Sequence, residues 1–355
     1  MISLLRQPQL SRIKGIVRCG TITKHLVSIL GPGEIAVINH ENLDSIAASG
    51  LIEKRVKAVI NCSPSFTGQF PTYGAKQLLD FGIPLFDYVG KDDLFDVIND
   101  GEKILIHEES IFIMHEDRHL EKVLIPVTEK EWFRKLKRTQ FHFPFVYSDF
   151  IENTIEFIEK EKKSFISRLP DIPLKTIIGN RPVVVVIRGK QYKEDLESLL
   201  AYIQREHPVL IGVDGGADAL LEHGLSPDLI IGDMDSVSSE SLLRAKEIIV
   251  HAYVGGYAPG EQRVKQLGIP YHILPAPGVS EDVAMLLAYD KNARIIVGVG
   301  YHSCMVDFLE KGRKGMGSTL LVRMKIGDRF IDARGFNKLG LDVRENEYQH
   351  HYSGL

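Results

Sequence analysis

Short, unbroken apolar runs recur along this chain, and most are followed at once by a loop rich in glycine or charged residues. In the second half they are Val183-Val184-Val185-Val186-Ile187, Val209-Leu210-Ile211, Leu229-Ile230-Ile231, Ile248-Ile249-Val250, Tyr271-His272-Ile273-Leu274 and Ile295-Ile296-Val297. The first of these is an uninterrupted β-branched run, which predicts a strand buried on both faces of a parallel sheet. Residues 194–203 have helical spacing and predict a crossover helix after it. Earlier in the chain, Glu34-Ile35-Ala36-Val37-Ile38 and Ala58-Val59-Ile60 predict buried strands with a helix between them. A further helix through Lys76-Gln77-Leu78-Leu79 leads into a strand at Gly82-Ile83-Pro84-Leu85-Phe86. Asp100-Gly101 separates two β-like runs, Phe95-Asp96-Val97-Ile98 and Lys103-Ile104-Leu105-Ile106, and predicts a hairpin.

Between these blocks the pattern changes. From 129 to 168, Glu, Lys, Phe and Ile recur at helical periods, predicting one or two connecting helices. Ile151, Ile155 and Ile158 fall on one face, expected to pack on a domain or on a second copy in a homodimer. The fold class that follows is α/β, with two α/β domains joined by connecting helices, the second a Rossmann-like parallel sheet. The expected boundaries are 1–125 for a small α/β domain, 126–174 for the helical connector, 175–335 for the second domain and 336–355 for a polar, frayed tail.

A chain of 355 residues exceeds what one core serves, which agrees with two domains. The net charge of −4, without a basic stripe, gives nucleic acid no electrostatic footing as a partner. Cys19, Cys62 and Cys304 show no CxxC spacing, which fits a reducing compartment and neither a disulfide frame nor a zinc site. The start, Met1-Ile2-Ser3-Leu4-Leu5-Arg6-Gln7-Pro8, is too short and polar for a signal peptide, and no apolar window is long enough to span a bilayer. A cytoplasmic location is the expectation.

The candidate chemistry sits on two loops, Gly212-Val213-Asp214-Gly215-Gly216-Ala217 and Gly232-Asp233-Met234-Asp235-Ser236. Each follows a predicted strand, so Asp214, Asp233 and Asp235 stand where an open α/β sheet binds its ligand, beyond the carboxyl ends of the strands. Gly215, Gly216 and Ser236 let backbone N–H groups approach an anion. Clustered acids repel one another unless a hard cation such as Mg²⁺ lies between them, so these three are candidate metal ligands and the expected guest is a Mg²⁺-chelated polyphosphate. The alternative is two Asp-Gly turns that merely cap helices. Arg188, on the exit of the first strand, is a candidate to counter phosphate charge. Arg313, with Lys314 among three glycines, suits either phosphate binding or a solvated charge run.

Ser280-Glu281-Asp282 reads both as a helix N-cap with acids in its first turn and as ligand contacts; the two are not exclusive. Tyr301, His302 and Ser303, on another strand exit, are candidate ligand contacts. His302, Ser303 and Cys304 do not make a nucleophilic triad, because no acid at a suitable spacing completes one. In the first domain, Asn39, Asn61, Ser63, Ser65 and Thr67 either line a polar pocket or satisfy loop backbone.

The Asp214-Gly215-Gly216 loop, the Pro227-Asp228-Leu229-Ile230-Ile231 lead-in and the Gly232–Ser236 run resemble the catalytic domain of thiamine pyrophosphokinases over residues 180–300. The resemblance implies a fold of that type, Mg²⁺ and ATP or another nucleotide di- or triphosphate as cofactors, and metal and phosphate roles for Asp214, Asp233 and Asp235. That family's third acidic loop has altered spacing here, as Ser280-Glu281-Asp282, and its Gly-Gly-Arg-x-Asp-His segment is replaced by Gly298-Val299-Gly300-Tyr301-His302-Ser303. Too few residues follow Thr319 for the family's closing β-sandwich, so the nucleotide half of the site is expected to be kept and the acceptor half lost.

Over nearly its whole length the chain is similar to SteA-type cytokinetic ring proteins. The residues carrying this are residues 33–44 (Gly-Glu-Ile-Ala-Val-Ile-Asn-His-Glu-Asn-Leu-Asp), 276–282 (Ala-Pro-Gly-Val-Ser-Glu-Asp) and 311–319 (Lys-Gly-Arg-Lys-Gly-Met-Gly-Ser-Thr). That resemblance implies a cell-division factor working with a membrane-bound partner of SteB type, recruited to the septum. Many such proteins end in a transmembrane helix, and this chain stops at Leu355 without one. Gly82-Ile83-Pro84 and residues 99–104 resemble a swivelling phosphohistidine domain, but no histidine lies between 70 and 74, so no phosphocarrier role is expected. Three functional readings stand open: a division factor that binds a Mg²⁺-nucleotide or diphosphate ligand with little or no turnover, an active pyrophosphokinase acting on thiamine or another small alcohol, and a non-binding scaffold.

Overall fold

The computed structural model describes residues 12–114, 118–121 and 123–339. The chain divides into two compact units, Met1–Ile151 with Phe308–Lys314, and Glu152–Asp307 with Gly315–Leu355.

In the first unit, β1 (Ile13–Gly20), β2 (Ile35–Ile38), β3 (Ala58–Asn61) and β4 (Leu85–Tyr88) run parallel. The helices α1 (Thr23–Ile29), α2 (Ser45–Glu53) and α3 (Gly74–Asp80) connect them in turn. β5 (Lys103–His107), β6 (Ser110–Ile113) and β7 (Arg118–Leu120) add antiparallel strands beyond β1, and β8 (Leu124–Pro126) closes the other edge against β4. The expected hairpin at Asp100-Gly101 is corrected. Residues Leu94–Val97 form a helical turn, α4, because the Asp93 carboxylate accepts from the Phe95 N–H at 3.0 Å and starts a helix instead of a strand. The hairpin pairs β5 with β6 and turns at Glu108, in the left-handed region at φ +55°.

Residues Glu129–Ile166 form one helix, α5, with Pro144 inside it. Trp132 and Phe150 on it are buried, as is Phe165. Ile151 and Ile155, in contrast, are 40% and 55% exposed, so the apolar stripe is not covered by the described chain.

The second unit is a seven-stranded, fully parallel sheet among the described residues. Its strands are β9 (Pro182–Val186), β10 (Val209–Val213), β11 (Leu229–Gly232), β12 (Glu247–Ala252), β13 (His272–Pro275), β14 (Ile295–Val299) and β15 (Phe330–Asp332). Their spatial order is β13-β12-β11-β10-β9-β14-β15. β9 through β13 therefore build outward in one direction, and the chain then returns to set β14 against the other side of β9. That reversal is the topological switch point at which such sheets bind ligands.

The strands are buried on both faces, as unbroken Val/Ile/Leu runs require. One layer packs Val185, Ile211, Ile231 and Ile249 against α11 (Ser280–Asp290) and α13 (Gly317–Ile326). The opposite layer carries Val184, Val186, Leu210 and Ile230. The expected single helix at 194–203 is two, α6 (Tyr192–Ser198) and α7 (Leu200–Glu206), jointed at Leu199. On the same side lie α8 (Gly216–Glu222), α9 (Ser239–Arg244) and α10 (Glu261–Gln266); α12 (Met305–Glu310) follows β14. The expectation of a frayed tail from residue 336 is corrected at its start. The buried Asp195 carboxylate accepts from the N–H groups of Gly335 and Asn337, fixing the turn that precedes a 3₁₀ segment at Phe336–Leu339. Residues 340–355 of the expected tail lie outside the described residues.

Truncating Ile231 to Ala should lower unfolding free energy by about 2–5 kcal/mol, since it leaves a void between two packed layers. The same change at Ile155 should stay within about 0.5 kcal/mol. Denaturant titration of both variants decides; a cost at Ile155 equal to that at Ile231 would show that the helix face is covered in solution.

Candidate functional site

The three acids meet because of how two adjacent strands end. β10 and β11 pair with Val213 opposite Ile231, so their exit loops lie side by side. At the end of β10, Asp214 turns into the left-handed region at φ +47°, which a short polar side chain tolerates better than most. Its Oδ1 accepts from the Met234 N–H at 3.0 Å. Gly232 makes this possible, since a Cβ there would fall 1.8 Å from Asp214 Oδ1. Met234 also has a positive φ, +63°, although it is fully buried and unbranched glycine would sit there without strain. Between these residues, Asp233 Oδ1 accepts from the Asp235 N–H at 3.1 Å. The result is that one carboxylate oxygen from each of Asp214, Asp233 and Asp235 lies within 4.8 Å of the other two.

Arg263 on α10 holds this loop from below. Its guanidinium donates to the carbonyls of Met234 and of Val237, the latter at 2.6 Å. Nothing in the sequence marks Arg263, because its partners are main-chain oxygens and leave no motif.

Arg188 follows β9 and lies against Gly215, where an added Cβ would come 3.0 Å from the guanidinium. It donates to Asp218 Oδ2 at 3.2 Å. Asp218 in turn accepts from the Ser238 N–H at 3.0 Å and the Ser241 hydroxyl at 2.5 Å. Asp218 therefore does more than cap a surface turn: it ties the cation of one strand exit to the loop after the acids. Gly215 and Gly216 are buried at the start of α8, and Ser236 is half-buried beyond Asp235.

The other candidates follow β13 and β14, the strands that flank this region on either side. The expected N-cap at Ser280 is corrected: the capping position is Val279, whose N–H donates to Asp282 Oδ2 at 3.2 Å. Ser280 is thereby free to bond elsewhere, and its hydroxyl meets His251 Nδ1 at 3.3 Å. His251 Nε2 lies 3.1 Å from the Ala276 carbonyl, which can only accept, so Nε2 carries the proton. Burial pushes the His251 pKa down, keeping the ring neutral with Nδ1 accepting from Ser280. Sequence reading missed this histidine, which is embedded in an ordinary strand run.

Glu281 and His302 form a buried pair at 2.8 Å, with both side chains nearly inaccessible. Asp282 is fully buried and accepts from the Thr319 hydroxyl at 3.1 Å. Burial, reinforced by the Glu281 charge, pushes its pKa up to about 7. Tyr301 is also interior, edge-on to Phe330 at 5.3 Å and beneath the Arg323 guanidinium. The loop carrying Ser303 is fixed by Asp307, which accepts from the N–H groups of Ser303 and Cys304, both at 3.3 Å. Burial acts to raise the Asp307 carboxyl, but the hydrogen bonds and charge of Arg334 outweigh it and hold it low.

Arg313 belongs to the first unit, where its guanidinium lies over the Phe308 ring at 5.8 Å. In that unit the polar residues satisfy loop backbone. Asn61 is fully buried, taking the His40 N–H at 2.9 Å and donating to the His40 carbonyl and Ser65 hydroxyl. Ser63 donates to Asn39 Oδ1, and Thr67 donates to Asn42 Oδ1.

Comparison with known proteins bears on this geometry. Residues 200–252 match the family described as thiamin pyrophosphokinase, catalytic domain, a span running from α7 through β12 and containing all three clustered acids. That stretch of the second unit is thus thiamine-pyrophosphokinase-like. No curated protein matches the chain. Among solved structures, a thiamine pyrophosphokinase from Bacillus subtilis is similar at 21% identity and a TM-score of 0.27, covering 43% of this chain and 59% of that one. The chain therefore spans little more than half the length of that relative. A 3-isopropylmalate dehydratase (leuD) from Methanocaldococcus jannaschii is similar at 16% identity and a TM-score of 0.25, covering 37% of this chain and 98% of that one. Among the described residues, no helix is long and apolar enough to cross a membrane.

The raised Asp282 pKa has a testable consequence. Between the ordinary carboxylate range and about 7, the folded protein holds a proton at Asp282 that the unfolded chain has released. Stability must therefore fall through this group as pH rises over that window, by up to about 4 kcal/mol. Asp282→Asn, which mimics the protonated side chain, should gain stability relative to the parent as pH climbs from 4 to 8. Denaturant titrations across that range test it, and a constant difference between the two proteins would show that Asp282 ionises normally.

Proposed function

We propose that the second unit binds a Mg²⁺-chelated nucleotide, or another diphosphate-bearing ligand, at the carboxyl edge of its sheet, with little or no pyrophosphoryl turnover. The observation that carries this reading is the convergence of the Asp214, Asp233 and Asp235 oxygens to within 4.8 Å. Three such groups fit a hard divalent cation by donor chemistry, since Mg²⁺ favours carboxylate oxygen and completes its shell with phosphate and water. When bound, the ion would bridge carboxylate and phosphate charge and orient the diphosphate. Arg188 supplies a guanidinium against the Gly215 backbone, which can balance further phosphate charge while Asp218 fixes its direction.

Among the described residues beside the acids, the polar groups are engaged elsewhere rather than placed to activate an acceptor hydroxyl. His251 is neutral, but its Nδ1 is engaged by Ser280 and its Nε2 by a carbonyl. The acids after β13, Glu281 and Asp282, are interior and already bonded. Positioning and charge neutralisation, which make up most of phosphoryl-transfer catalysis, are provided for the nucleotide side only. The SteA-type sequence strings make cell division the setting we propose for this binding, with a membrane-bound division partner.

Calorimetry with Mg²⁺–ADP and Mg²⁺–ATP tests the reading. Binding should require Mg²⁺ and should weaken by roughly tenfold or more in Asp233→Asn and in Asp235→Asn, each of which removes a charged ligand. No binding, or binding indifferent to both substitutions, would favour a scaffold. A coupled assay for AMP release in the presence of thiamine should show none above background; sustained release would make the protein an active pyrophosphokinase.

A further inference from the structure

The loop leaving β12, residues 253–260, carries features that the acid cluster does not use. Its sequence is Tyr253-Val254-Gly255-Gly256-Tyr257-Ala258-Pro259-Gly260, without a charged side chain. Tyr253, Val254 and Tyr257 are 63%, 65% and 70% exposed, an apolar surface held out into water. It is not a slack excursion. The Tyr253 N–H donates to the Tyr257 carbonyl at 2.9 Å, and the Gly256 N–H donates to the Tyr253 carbonyl at 2.7 Å, closing a tight turn that sets the two rings. Those rings lie 14° from parallel with centroids 6.2 Å apart.

Both ends of this loop are fastened beside Asp233. β12 pairs with β11 so that Val250 stands opposite Gly232, the residue before Asp233. At the other end Gly260 packs on the Asp233 main chain, where an added Cβ would fall 2.1 Å from the Asp233 carbonyl oxygen. Ala258, between the rings and this anchor, is buried in the core cluster under β11 and β12. Tyr257 is three residues from Gly260, so its Cα lies at most about 11 Å from the anchor. A nucleoside diphosphate spans a comparable distance between its phosphates and its base.

From this arrangement we infer that Tyr253 and Tyr257 form a stacking platform for a planar heterocycle on the diphosphate-bearing ligand, as a nucleobase would be. The inference rests on the Mg²⁺-diphosphate reading of the acid cluster and adds what that reading leaves open: the ligand carries an aromatic group, and this loop binds it. A ring inserted between the tyrosines needs a contact gap of about 3.5 Å on each side. A ring laid on an outer face needs no movement. Either way the exposed π-faces accept any base, giving affinity for heterocycles as a class rather than for one of them.

The test compares ligands that differ only in the heterocycle. Calorimetry on the full chain is run with Mg²⁺–pyrophosphate and with Mg²⁺–ADP, for the parent, Tyr253→Ala, Tyr257→Ala and the corresponding Phe variants. The expected result is that each Ala variant weakens Mg²⁺–ADP roughly 5- to 100-fold, leaves Mg²⁺–pyrophosphate within about twofold, and is rescued by Phe. If the parent binds Mg²⁺–pyrophosphate as tightly as Mg²⁺–ADP, or the Ala variants affect both equally or neither, the platform is refuted while the acid-cluster reading survives. If the parent binds neither ligand, that reading falls and this inference with it. Loss of self-association in the Ala variants with unchanged Mg²⁺–ADP binding would instead assign the tyrosines to contact between copies. Thermal melts of the Ala variants should match the parent, because the exposed rings support no core.

Discussion

The constraint on which the second unit turns is mutual repulsion among three carboxylates held within 4.8 Å. Like charges at such separations cost free energy unless solvent, protons or a counter-ion intervene. Asp235 is exposed and Asp214 half-buried, so water relieves part of this repulsion but not all of it. The surrounding structure nevertheless works to keep the acids together. Asp214 and Met234 both adopt left-handed backbone, Gly232 yields its Cβ space to the Asp214 carboxylate, and Arg263 clamps the Met234 and Val237 carbonyls. Spending conformational strain to hold like charges close is reasonable for a site whose counter-ion arrives with its ligand, and wasteful for a plain turn.

The remainder of the carboxyl edge obeys the opposite rule. After β13 and β14, the polar groups are withdrawn from water and bonded internally: Glu281 to His302, and Asp282, whose pKa is pushed up to about 7, to Thr319. A carboxyl whose pKa is pushed up to about 7 has a weakened hold on a cation near neutral pH. The edge thus holds an open, anionic cluster over β10 and β11 and a closed, internally bonded one at the start of α11.

Much of this was legible in the sequence, for a definite physical reason. Strands buried on both faces must be continuous apolar runs, so Val183–Val186 and Leu229–Ile231 declare themselves, and the polar residue that ends each run marks the edge of the sheet. That is why Asp214 and Asp233 could be assigned to adjacent loops before any coordinates were known. Features whose partners are main-chain atoms were not legible. Arg263 acts on carbonyls, His251 sits inside a strand pattern, and Asp93 starts a helix that outcompetes an equally good strand pattern at 95–98. Burial was the other blind spot. Ser280-Glu281-Asp282 reads as an exposed helix start, yet the helix lies between the sheet and α13, and its first-turn acids are interior.

The acid cluster and the start of α11 also depend on different parts of the sheet. The acid cluster is built by the exit loops of β10 and β11, which are strand neighbours and hold each other in register. The start of α11 holds a group that titrates near neutral pH. Asp282 has a pKa in that range, but it is sealed behind Val279 and Thr319, so its proton serves the fold rather than a substrate. The two clusters therefore depend on different elements and can change independently. Opening the start of α11 would require more than a single substitution, because the Glu281–His302 pair and the Asp282–Thr319 bond lie under the same helix start, and removing one partner leaves a buried polar group without its bond.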